Sequence, residues 1–173
     1  MITQFLQRLL WLVVLVAAQM VVFNYIHIYD YATPLPFVYL VLLFPLGTSR
    51  WSILVWAFVC GLLCDIASLT LGIGAASMTL VAFVQPVLLR LMTPKDAPED
   101  MQPAYSTMGF WNYVGYAAIL TSLFILCYFL LQSFTFNHII DLGISCGASW
   151  LLTLFLCLIF EGFRDHRSPN TQS

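Results

Sequence analysis

Charge is what this chain has least of. Only 8% of its 173 residues are Asp, Glu, Lys or Arg, against about a quarter in soluble globular domains, and so few charges exclude an ordinary solvated surface. The formal net charge is −2 and the six Lys and Arg form no cluster, so nucleic acid is excluded as a partner. The three histidines, His27, His138 and His166, fall in loops or at run ends, away from the paired Cys60 and Cys64. No metal-ligand spacing results. There is no His-Glu-x-x-His helix, no Gly-x-Ser-x-Gly turn, no phosphate loop and no second acid near Asp65, so the convergent set an enzyme needs is missing. The expectation is a protein that is not an enzyme and holds no cofactor.

What fills the space is apolar. Hydrophobic residues make up 61% of the chain and aromatics 16%, with a mean hydropathy of +0.92. This composition predicts an all-α, polytopic integral membrane protein in the lipid bilayer. All five cysteines, Cys60, Cys64, Cys127, Cys146 and Cys157, lie within apolar runs, where cysteine packs as a small hydrophobe. The first run follows Arg8, but Asn24-Tyr25-Ile26-His27 offers no small-x-small cleavage site, so it reads as a retained helix rather than a signal peptide.

Six spans are predicted, at residues 9–28, 35–49, 51–70, 72–91, 111–131 and 139–160, forming a single transmembrane domain. The second is short for a span and carries Pro45 and Gly47, which is also the pattern of a re-entrant segment. Residues 93–107, with Lys95, Asp96, Glu99, Asp100 and three prolines, read as a loop, and residues 161–173 as a polar, flexible tail. With six spans, Arg8, Arg50, Arg90, Lys95, Arg164 and Arg167 all fall on one side. Basic residues mark the cytoplasm, so both termini are expected there. A re-entrant second run would put Arg50 outside, which favours counting that run as a span.

The chain is organised around residues 51–91. Ala57, Cys60, Gly61, Cys64, Asp65 and Ser68 share one helix face, all small or polar, while Leu54, Val55, Phe58, Leu62, Leu63, Ile66 and Leu69 cover the rest. On the following run Gly72, Ala75, Ala76, Thr79, Ala82 and Pro86 form a second small face. Two such faces predict close helix packing. Asp65 lies in that seam, fourteen residues from Trp51, or about 21 Å at roughly 1.5 Å per residue. A carboxylate at that depth is a functional candidate, with a structural cap carrying equal weight; Ser68, Ser77, Thr79 or the amides of the Gly72-Ile-Gly74 turn are its expected partners. Gln19, Asn24 and Gln85 are read as groups that hydrogen-bond between helices, Asp141 as an N-terminal charge on the last helix, and Gly143-x-x-x-Gly147 as a further tight contact.

The spacing Gly-x-x-x-Asp-x6-Gly, present as Gly61, Asp65 and Gly72, resembles the rod shape-determining protein MreD family. So do the six apolar runs, the charge-poor outer face, and the text FPLGTSRWSILVWAFVCGLLCDI and LRLMTPKDAPEDM, which is similar to the Bacteroidetes-type branch. The resemblance implies a non-enzymatic subunit of the cell-elongation machinery in the cell inner membrane. Its partners would be an MreC-like membrane protein and, through it, the actin-like MreB and a wall-synthesising transpeptidase and glycosyltransferase. The layout is also similar to the substrate-binding membrane components of vitamin uptake systems, which implies, as the alternative, a small-molecule binding or transport subunit.

Overall fold

A computed structural model describes residues 2–19, 35–68, 72–94, 97–98, 101–133 and 139–166. Its elements are α1 (Ile2–Ala18), a 3₁₀ turn (Pro36–Val38) running into α2 (Tyr39–Leu42), α3 (Arg50–Ser68), α4 (Ile73–Met92), α5 (Tyr105–Met108), α6 (Phe110–Ser133) and α7 (Ile139–His166). Among the described residues there is no strand. Four stretches are helical, long enough and apolar enough to cross a membrane: Arg50–Ser68, Ile73–Met92, Phe110–Gln132 and Cys146–Arg164.

These four helices pack as a row, α3 on α4, α4 on α6 and α6 on α7. Their outer faces carry exposed large hydrophobics, among them Phe58, Ile66, Phe83, Leu126, Leu130, Leu151 and Phe155. Water would penalise apolar patches of that extent, whereas hydrocarbon accommodates them. The buried side is tightly filled by aromatic and small residues: Tyr113, Tyr116 and Phe124 on α6 meet Ala57 and Cys60 of α3 and Met78, Val81 and Ala82 of α4 in one core.

Residues 35–49, expected to span, form only two short helical pieces. Seven helical residues reach roughly 11 Å at 1.5 Å per residue, against about 30 Å of hydrocarbon. The physical reason lies in the prolines and in burial. Pro36 starts the first piece and Pro45 ends the second, while Leu35 through Leu42 are buried on every side. The segment is therefore an apolar insert within the bundle. Phe37 meets Phe124 at 5.3 Å between ring centroids, and Tyr39 meets Trp11 of α1 at 5.5 Å and Phe160 of α7 at 5.7 Å. Irregular backbone is tolerated inside a membrane protein when protein satisfies its polar groups. That condition holds here: the Leu35 amide donates to Thr153 Oγ1 at 3.2 Å, the Phe44 carbonyl accepts from Gln85 Nε2 at 3.2 Å, and the Leu46 amide donates to the Met101 carbonyl at 3.2 Å.

One more expectation shifts, and the loop read at residues 93–107, whose order the sequence left open, is ordered in part. Helix α7 continues through Glu161 to His166, so the stretch read as a flexible tail begins as ordered helix. Residues 101–109 are docked as well, with α5 ended by Gly109 at φ +80° and with Ala104 and Met108 buried.

A carboxylate clamp between α3 and α4 as the candidate functional site

Helix α4 begins at Ile73, directly after Gly72, whose φ of +76° places it in the left-handed region. Glycine adopts that conformation without a Cβ penalty. It also has no side chain with which to cap the amides that open the helix, and those amides need acceptors. Asp65 of the preceding helix supplies them. Its Oδ1 accepts from the Gly74 amide at 2.9 Å and its Oδ2 from the Ala75 amide at 2.8 Å. The carboxylate is 4% exposed, and charge-assisted bonds at the positive end of a helix offset the loss of its hydration.

Glycine makes that geometry possible at two more positions. A Cβ on Gly61 would sit 2.6 Å from the Ala75 Cα and 2.8 Å from the Gly74 carbonyl oxygen, both backbone atoms. A Cβ on Gly74 would sit 2.6 Å from Asp65 Oδ1. Gly61, Asp65, Gly72 and Gly74 thus form one device, in which two glycines give room, one gives the turn and the carboxylate joins the helices. Ala57, Cys60 and Cys64 continue the buried face of α3.

The remaining residues singled out above fall elsewhere. Ala76 is exposed on the outside of α4, whereas Gly74, Ala75, Met78 and Ala82 point inward; the small stripe faces a direction rotated from the expected one. Pro86 is buried within α4, twelve residues or roughly 18 Å along the helix from Gly74. Ser77 and Thr79 donate to the Ile73 and Ala75 carbonyls of their own helix. Gln85 does join elements, donating to the Phe44 carbonyl and, at 3.0 Å, to Tyr116 Oη. Gly147 faces open space, so it makes no tight contact among the described residues. Asn24, His27 and His138, and the side chain of Asp141, lie outside the described residues.

Sequence reasoning missed a second buried carboxylate. Glu161, fully buried, accepts from Tyr39 Oη at 2.8 Å and from Tyr113 Oη at 3.2 Å, and pairs with Arg164 at 2.7 Å. Arg164 also donates to the Pro103 carbonyl, and Tyr105 Oη donates to the Leu158 carbonyl at 2.8 Å. One network therefore ties α2, α6, α7 and the 101–109 segment together. Its partners are 122 and 48 residues apart in sequence, and a glutamate just past an apolar run looks like the start of a solvated end. The one available signal was Tyr113 and Tyr116 at helical spacing beside the polar end of the run.

Both buried carboxylates thus accept hydrogen bonds that fasten one element to another. All five cysteines are free thiols, and among the described residues no three His, Cys, Asp or Glu side chains are grouped to hold a metal. The fold and site define an all-helical protein with four membrane-length apolar helices and a carboxylate-clamped hairpin at its centre. No family model, curated protein or solved structure matches the chain.

Proposed function

We propose that this chain is an MreD-like, non-enzymatic scaffold of the cell inner membrane that recruits and orients an MreC-like partner for side-wall peptidoglycan synthesis. In this reading it crosses the membrane six times with both termini in the cytoplasm, and the crossing that includes Leu35–Phe44 is irregular and sheathed by α1, α3, α4 and α7. The observation that supports it is the engagement of Asp65. An ionisable residue at that depth is a functional candidate by default, and here both of its oxygens are committed to the opening amides of α4. A protein whose buried charge builds shape offers its partners surfaces rather than chemistry. The alternative is a substrate-binding subunit similar to those of vitamin uptake, which calls for an enclosed pocket that retains a small molecule.

Purification of the tagged chain in mild detergent from its own cells tests the proposal. A stoichiometric MreC-like protein is expected in the eluate. A retained small molecule with no protein partner overturns the scaffold reading in favour of the alternative.

A further inference from the structure

The outer face of the α3–α4 hairpin carries a groove of about 700 Å³, walled by Leu54, Phe58 and Leu62 of α3 and by Ala76, Leu80 and Phe83 of α4. It runs lengthwise between the two helices and lies open to the surroundings. One end lies beside Gly72. The other end leads to two arginines. Arg50 precedes Leu54 by one helical turn, and Arg90 follows Phe83 by two turns, so each sits on or beside the groove line of its own helix. The helices are antiparallel, with Gly61 opposite Ala75. Eleven residues further along each, Arg50 comes opposite Pro86, one turn or roughly 6 Å from Arg90. Both arginines are exposed, and among the described residues no carboxylate pairs with either.

An apolar track leading to a pair of exposed guanidiniums, with no carboxylate among the described residues paired to either, has the charge pattern of one ligand class. We infer that this face binds an anionic phospholipid, its phosphate held between Arg50 and Arg90 and an acyl chain laid along the groove. Guanidinium is suited to phosphate because its planar fork donates in pairs, and the long arginine stems lie against apolar surface while their heads stay at the headgroup level. Trp51, 80% exposed beside Arg50, suits that same interfacial depth. The arginine end is the one expected to face the cytoplasm, whose leaflet carries the anionic lipids. The site requires only that α3 and α4 stand in a membrane and does not depend on the scaffold reading.

The test titrates the purified full-length chain in detergent with phosphatidylglycerol or phosphatidylcholine and reads retained lipid by native mass spectrometry. Phosphatidylglycerol is expected to bind selectively. Arg50→Gln/Arg90→Gln is expected to weaken it about 30-fold, the effect of two basic groups each contributing the amount usual at an anionic surface. Lys95→Gln/Arg167→Gln removes the same charge without touching either arginine of the proposed site and should leave affinity unchanged. Ala76→Trp fills the groove from an exposed position and should also displace the lipid. Millimolar glycerol phosphate, which has the headgroup chemistry without the chain, should not compete. Equal loss in both double variants, equal binding of phosphatidylcholine, or competition by glycerol phosphate overturns the proposal. So does an Ala76→Trp chain that keeps its lipid but loses a co-purifying membrane protein, because the groove would then hold a partner helix.

Discussion

Gly61 carries the tightest steric constraint on the hairpin, because the atoms a methyl group would meet there belong to the backbone of α4 and cannot rotate away. Gly61→Ala is therefore expected to destabilise by about 1–3 kcal/mol, as overpacking does elsewhere, while Ala76→Leu, on the exposed side of α4, should stay within roughly 0.5 kcal/mol. Thermal denaturation in detergent, followed by size-exclusion chromatography, checks the pair; equal tolerance at both positions would refute the packing assignment. Gly72 separates backbone strain from crowding, since a Cβ there meets nothing within 4 Å. Gly72→Ala should cost about 1–2 kcal/mol through its left-handed φ alone, and Gly72→Asn less, because Asn enters that region more readily. If alanine proves as stable as glycine, the turn is not the constraint. Asp65, Gly61 and Gly72 were legible in the sequence because a small face interrupted by one carboxylate has few structural meanings. The Gly74 amide was foreseen as a partner of Asp65 within the Gly72-Ile-Gly74 turn, but Ala75 as the second donor and the outward position of Ala76 were not, because a helical wheel identifies a face without saying how the left-handed turn at Gly72 rotates it against its neighbour.

Between elements, the Glu161 network decides how the insert of residues 35–44 is held. Removing one partner of a buried ion pair leaves the other charge uncompensated, at a cost of about 3–5 kcal/mol. Arg164→Ala is accordingly expected to destabilise strongly, and the further change Glu161→Gln to recover part of the loss by removing the stranded charge. A double-mutant cycle on detergent melting temperatures measures this; simple additivity of the two changes would mean that the pair is not coupled. Tyr39→Phe should destabilise less than Arg164→Ala, because it removes one hydrogen bond and leaves the charge pair intact. The long helices were legible at this scale. Hydropathy runs of 19 residues or more rise above any local irregularity, and the helices observed, Arg50–Ser68 and Ile73–Met92, lie within a few residues of the spans expected at 51–70 and 72–91. The insert was legible only as an anomaly. Its shortness and its prolines were visible, but the groups that satisfy its backbone, Thr153, Gln85 and Met101, come from elements far along the chain.

For the whole molecule, Arg50, Arg90 and Arg164 gather at one end of the four-helix row, since Met92 lies against Gly115, Tyr113 meets Glu161 and Arg164 meets Pro103. The six-crossing reading therefore predicts a cytoplasmic signal from reporters fused at Ser173 and within residues 95–102, and an external signal from one near Asp30. A cytoplasmic signal at Asp30 removes the first two crossings. In the proposed scaffold the buried carboxylate builds the fold rather than acting on a partner or a substrate, and Asp65→Asn tests this directly. Asn keeps one acceptor but turns a donor toward the second amide, a loss of about 1–3 kcal/mol for a buried group left unpaired. The measurement is the recovery of rod shape in cells depleted of the native protein, plotted against the folded amount of the variant in the membrane. Shape is expected to be lost only as folded protein is lost, and raising Asp65→Asn to native abundance is expected to restore rods. Native abundance with rods still absent would show instead that the carboxylate acts in its own right and is more than a structural clamp.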